Sequence, residues 1–145
     1  MGILVMVALA CSGGLAVARA TTSAGGNAVN LVATPAVKAA LRRAFCRHVT
    51  SGPCPRGPLK TAKLRTYYGR VGVNEYAVAY FDVIADQPEW FSRRVRGTWR
   101  DRGDTGGDLC GQIPRSLVVG VWHFRYSSSV QDPRTGRWSK CYAPP

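Results

Sequence analysis

Residues 74–81, "NEYAVAYF", constrain the fold more than any other stretch of the chain. Ala77, Ala79 and Phe81 alternate with Tyr76, Val78 and Tyr80, so a strand here is apolar on both faces. A strand with one wet face alternates apolar and polar residues; apolar residues on both faces place it inside a sheet that is covered on both sides. The small side chains of Ala77 and Ala79 mark the face that a helix can approach closely.

The flanking sequence supplies the neighbours. "KLRTYYGRVGVNEYAVAYFDVI" is strand-like on either side of segment 69–74 and predicts a hairpin, and "QPEWFSRRVRGTWRDRGD" predicts a second one turning at Arg96-Gly97. Upstream, "TPAVKAALRRAFCRH" predicts a helix. Thr34 is its N-cap and Pro35 sits in its first turn, with Val37, Leu41, Ala44, Phe45 and His48 on one face. The prolines of "SGPCPRGP" end it. "IPRSLVVGVWHF" fits either a strand or a helix. The i, i+1, i+4, i+5 spacing of Leu117, Val118, Val121 and Trp122 behind Pro114 favours a short helix. Residues 126–140 read as a polar excursion turning at Asp132–Gly136. The expected architecture is α+β: an N-terminal helix on an antiparallel sheet of about four strands, a short second helix and two disulfides.

Location decides how the cysteines are read. Ile3 to Leu9 form an apolar run, followed by small residues ending in Ala18-Arg19-Ala20. This suits a secretory leader over 1–20, cleaved after Ala20. The run is too short to span a bilayer. No Lys or Arg precedes it, a departure from the usual leader, and a rival reading attaches lipid at Cys11. The expectation is a secreted monomer with a flexible lead-in over 21–33 and one domain over 34–145. Export leaves Cys46, Cys54, Cys110 and Cys141, an even set that reads as two disulfides. Three connectivities are open. Cys46–Cys54, closing a local loop, and Cys110–Cys141, tying down the tail, are favoured.

Without the leader the chain carries nineteen Lys and Arg against eight Asp and Glu, a net charge of +11. Such a charge favours anionic partners: an envelope polymer, acidic lipid, nucleic acid or an acidic protein. Because 16 of the 20 basic residues of the full chain are Arg, part of the charge can reflect a GC-rich coding background. Basic and aromatic residues interleave in "WFSRRVRGTWRDR", and a turn at Arg96-Gly97 lets Arg94, Arg96, Arg100 and Arg102 share one face. That pattern suits a polyanion held by charge and stacking, and equally a solvated arginine-rich sheet.

"TWRDRGDTGGDLC" raises three possibilities. Arg102-Gly103-Asp104 is a chance-prone adhesion tripeptide. Asp101, Asp104 and Asp108 lack the alternation of a calcium loop. A turn whose exit is anchored by Cys110 fits best. No hydrolase, metal, P-loop or dinucleotide fingerprint is present, so neither cofactor nor metal is expected. His48 and His123 have no nucleophile beside them in a recognised motif.

Two resemblances add to this. The scattered set Tyr67-Tyr68-Gly69, Tyr76-Ala77, Ala79, Phe81, Gln87-Pro88-Glu89, Phe91, Trp99, Gly106-Gly107, Cys110, Pro114 and Trp122 resembles small exported actinobacterial proteins of no assigned function, over about residues 35–124. It implies secretion and one compact domain, and no catalytic residues. "NEYAV" and "RGTWR" look similar to strands of guanyl-specific ribonucleases. That resemblance implies Glu75 as base, Arg96 and Arg100 as phosphate clamp and His123 as acid. The leading expectation is a non-enzymatic basic domain that binds an anionic envelope component or an acidic protein, with a small ribonuclease as the alternative.

Overall fold

The computed structural model describes residues 27–49, 66–81 and 88–145. The expected leader, Cys11 and Cys54 lie outside them. The elements are β1 (Ala28–Asn30), α1 (Pro35–Val49), β2 (Tyr67–Val71), β3 (Asn74–Tyr80), β4 (Pro88–Arg94), β5 (Arg100–Asp104), α2 (Arg115–Val118), β6 (Arg125–Gln131) and β7 (Trp138–Ala143). The fold is α+β, with β1 to β5 forming one antiparallel sheet in sequence order and β6 and β7 a separate pair. The main sheet thus has five strands where about four were expected. The extra one, β1, lies within the stretch read as a flexible lead-in: Ala28 to Asn30 pair with Val71 to Gly69 along the edge of β2.

Strand β3 sits at the centre and is covered on both faces. On one side Ala77 and Ala79 meet α1 through Leu41, Ala44 and Phe45, joined by Tyr68, Phe81, Phe91 and Trp99. Neither alanine has a Cγ, so the helix packs close, and Phe45 stacks on Phe81 with ring centroids 4.2 Å apart. Thr34 caps α1 as expected, its hydroxyl accepting from the Val37 amide at 3.3 Å. On the other side Val78 packs against Leu117, Val118, Trp122, Phe124 and Tyr142. Tyr142 comes from β7, and the others come from α2 and the segment after it, the stretch read as a short helix behind Pro114. Burying side chains of this size contributes about 1.5–3 kcal/mol each.

The polar excursion is itself structured. Residues 125–131 and 138–143 form an antiparallel hairpin, with the Asp132 carboxylate accepting from the Arg134 and Thr135 amides in the turn. No apolar alternation announces β6 because all seven of its residues are exposed. The Cys110–Cys141 disulfide and backbone bonds between Leu109 and Tyr142 fasten the hairpin to the core. Cys46, in the last turns of α1, is disulfide-bonded as well; the expected Cys46–Cys54 pairing lies outside the described residues.

Arg102-Gly103-Asp104 lies in edge strand β5, and the turn expected across 98–110 is confined to 105–108. Gly106 and Gly107 have φ of 63° and 95° there, and Gly106 donates to the Asp104 carboxylate at 2.7 Å.

Candidate anion-binding groove

The register of β3, β4 and β5 sorts the charged residues onto two faces. On the face under α1, Glu75 stands opposite Arg93, and the Arg93 Nε donates to the Glu75 carboxylate at 2.6 Å. Glu75 is buried at 6 % exposure, which only a paired carboxylate tolerates. The Arg93 guanidinium also lies over the Trp99 ring, 4.5 Å from its centroid. Burial pushes the nearby Tyr68 phenol upward, helped by Glu75 and opposed by the hydrogen bond from Arg93.

The same face carries an acidic group further along β4 and β5. Glu89 pairs with Asp104 in register, and Asp101 lies across the bulge, opposite Phe91. His48, from the end of α1, reaches the Asp101 carboxylate at 3.5 Å; the Asp101 side chain is 1 % exposed. Burial, then the charges of Asp101 and Asp104, push Glu89 up to about 7, against the opposing pull of His48. One oxygen each of Glu89 and Asp101 is buried without a hydrogen-bond donor. When Glu89 is protonated it can donate to Asp101, an interaction that itself helps to raise Glu89. Among the described residues no group of His, Cys, Asp and Glu is arranged to hold a metal ion.

The opposite face is covered by α2 and the residues after it only in part. Where that cover stops, a groove of about 650 Å³ opens, bordered by Tyr76, Trp90, Ser92, Arg94, Arg100 and Arg102, with Asn74, Gly97, Thr98 and Gln112 completing the walls and Arg93 at one edge. Strand geometry explains the spacing. Trp90, Ser92 and Arg94 are alternate residues of β4, about 6.6 Å apart along one face. Arg100 lies opposite Ser92, and Arg102 follows two residues on, its Nε donating to the Ser92 hydroxyl at 2.9 Å. Tyr76 and Trp90 are half-buried, packed at the margin of the core cluster below. Their rings form the apolar part of a wall whose polar part is guanidinium. Among the described residues, no carboxylate and no imidazole lines the groove.

The residues singled out from sequence therefore separate. Arg94, Arg100 and Arg102 come together in the groove as the interleaved pattern suggested. Arg96 does not join them: it sits in the β4–β5 turn at a φ of 63° and does not line the groove. Of the ribonuclease set, Glu75 is bonded to Arg93 on the face under α1, while Arg100 borders the groove on the opposite face. His123, exposed at a φ of 59°, follows Trp122 in the segment covering that opposite face. Sequence reading missed Tyr76 and Trp90 as groove residues, although their alternation with Val78 and Ser92 carried the signal. The His48–Asp101–Glu89 contact was invisible because it joins segments over forty residues apart.

Comparison with protein-family models, curated proteins and solved structures gave no match, so the groove is read from its own geometry.

Proposed function

We propose that this protein is an exported, disulfide-stabilised binding module that holds a chain-like anion of the cell envelope in the groove between Trp90 and Arg102. An acidic segment of another protein would use the same chemistry. One observation carries the reading: among the described residues, every charged one lining the groove is an arginine. Arg93 is paired with Glu75, but Arg94, Arg100 and Arg102, gathered with no carboxylate among the described lining residues, repel one another and cost stability, a cost that an anionic ligand offsets. Guanidinium groups suit phosphate and carboxylate oxygens because their planar forks donate in pairs. Tyr76 and Trp90 add apolar contact for a sugar face, a ring or an alkyl segment of the ligand. The leader-like start of the chain, the Cys110–Cys141 disulfide and the resemblance to exported actinobacterial proteins support an extracellular setting.

Binding to a soluble polyanion tests the proposal. The variant Arg94→Ser/Arg100→Ser/Arg102→Ser is compared with a charge-matched control, Lys38→Ser/Arg43→Ser/Arg96→Ser, whose changes lie outside the groove. The groove variant is expected to lose about 100-fold in affinity, at roughly 1 kcal/mol for each phosphate-type contact, and the control to lose far less. Equal losses would make the interaction a property of net charge and sink the groove. RNA incubated with the wild-type protein separates binding from the ribonuclease alternative, which requires cleavage that Glu75→Gln and His123→Ala abolish.

A further inference from the structure

The β6–β7 hairpin has features that the groove leaves unused. Both aromatic residues among the exposed large hydrophobics of the described chain are on it, Trp138 at 69 % and Tyr126 at 60 %. They share a face. Trp138 pairs with Gln131 and Lys140 with Ser129, and the Tyr126 hydroxyl lies 3.2 Å from that of Ser129. One side of the hairpin thus presents Tyr126, Lys140 and Trp138, separated by neutral Ser129 and Gln131. The hairpin also carries Arg125, Arg134 and Arg137, and its single acid, Asp132, is occupied by the amides of its own turn. Where the face meets α2, Lys140 and Arg115 flank a cleft of about 370 Å³ floored by Ile113 and Tyr142.

We infer that the hairpin is a docking arm that lies on the surface of a bilayer bearing anionic phospholipid headgroups. Tryptophan and tyrosine settle at the headgroup level, where an apolar ring and a polar edge are both satisfied. Lysine and arginine beside them are drawn to the negative surface. The cleft between Lys140 and Arg115 offers a seat for one phosphate headgroup over an apolar floor. No helix among the described residues is long and apolar enough to cross a membrane, and a surface-lying arm requires none. Tyr126 touches only the edge of Tyr142, ring centroids 6.5 Å apart, and the Ser129 hydroxyl, and it stays 60 % exposed, so most of both aromatic rings faces water. A two-stranded hairpin also needs an external anchor to persist. The Cys110–Cys141 disulfide supplies that anchor at the base and leaves the face free.

Sedimentation with vesicles tests this, using phosphatidylcholine alone and phosphatidylcholine mixed with phosphatidylglycerol. The wild-type protein is expected to bind the mixed vesicles and to bind the neutral ones at least about tenfold more weakly. Trp138→Ser/Tyr126→Ser should weaken binding to the mixed vesicles about tenfold, and Arg137→Ser/Lys140→Ser should do the same. Both sets of side chains are exposed, so the variants should melt as the wild type does, which a thermal scan verifies. The groove variant Arg94→Ser/Arg100→Ser/Arg102→Ser should still bind vesicles. Vesicle binding unaffected by the hairpin changes, or lost only with the groove arginines, would overturn the inference. So would hairpin-dependent capture of an acidic peptide without any vesicle binding, which would make the partner a protein.

Discussion

Glu89 shows how much one side chain's surroundings can change its chemistry. Its carboxyl is pushed from the ordinary 4.5 to about 7, first by burial and then by Asp101 and Asp104. The folded protein therefore holds this proton more tightly than the unfolded chain does. The stabilisation is complete below the unfolded value near 4.5 and is lost as pH rises through about 7. Glu89→Gln keeps a donor for Asp101 and removes the charge, so it should melt above the wild type at about pH 8. Discounted for the partial solvation of the site, the gain is about 1–2 kcal/mol. It should shrink towards nothing near pH 5. Paired thermal melts at the two pH values check this; a constant difference would mean that Glu89 does not titrate in that window. His48 faces the same carboxylates from α1, so His48→Gln in the same background separates its contribution. Sequence alone could place Glu89 beside Trp90 but could not show the cluster. The burial that perturbs it is created by α1, β4 and β5 meeting, and no local pattern records that.

Elements were legible where side chains alternate and hidden where backbone pairing does the work. Strand β3 could be read because Ala77 and Ala79 face one layer and Tyr76 and Val78 the other, and α1 because Thr34 and the Leu41–Phe45 stripe specify a start and a face. Strand β1 is only three residues long and pairs through its backbone, with Val29 exposed, so composition gave no sign of it. Gly69 shows what that pairing requires. It lies between β1 and β3, and a Cβ added there would come within 2.8 Å of the Val29 carbonyl oxygen and 2.5 Å of Leu117. Gly69→Ala should therefore destabilise by about 1–3 kcal/mol through overpacking, measured by urea titration. A neutral result would show that β1 and α2 do not close over β2. The β6–β7 hairpin went unread for the opposite reason: it is exposed along β6 and held by its ends. Its disulfide joins residues 31 apart in sequence. Cys110→Ser/Cys141→Ser should lower stability by about 3–4 kcal/mol, read from the same titration. A loss well under 1 kcal/mol would mean that the hairpin is held by the Leu109–Tyr142 pairing alone.

The whole molecule is a layered sheet with its charge unevenly spent. Under α1 the acids are gathered: Glu75 is bonded to Arg93, His48 stands beside Asp101, and Glu89, pushed up to about 7, lies against Asp101 and Asp104. On the other face the cover formed by α2 ends early, leaving Arg94, Arg100 and Arg102 around Trp90 with no acid among the described lining residues. The high net charge was evident from sequence, and so was the clustering of arginines in the second hairpin. Which arginines share a wall was not, because the turn at Arg96-Gly97 carries Arg96 away from the other three. The most direct test is the salt dependence of polyanion binding, measured for the wild type and for Arg94→Ser/Arg100→Ser/Arg102→Ser. If the groove holds the ligand, the slope of log affinity against log salt should fall by about 2–3 in the variant, roughly 0.7–0.9 per lost contact. An unchanged slope and affinity would place the anion elsewhere on this basic surface and contradict the groove.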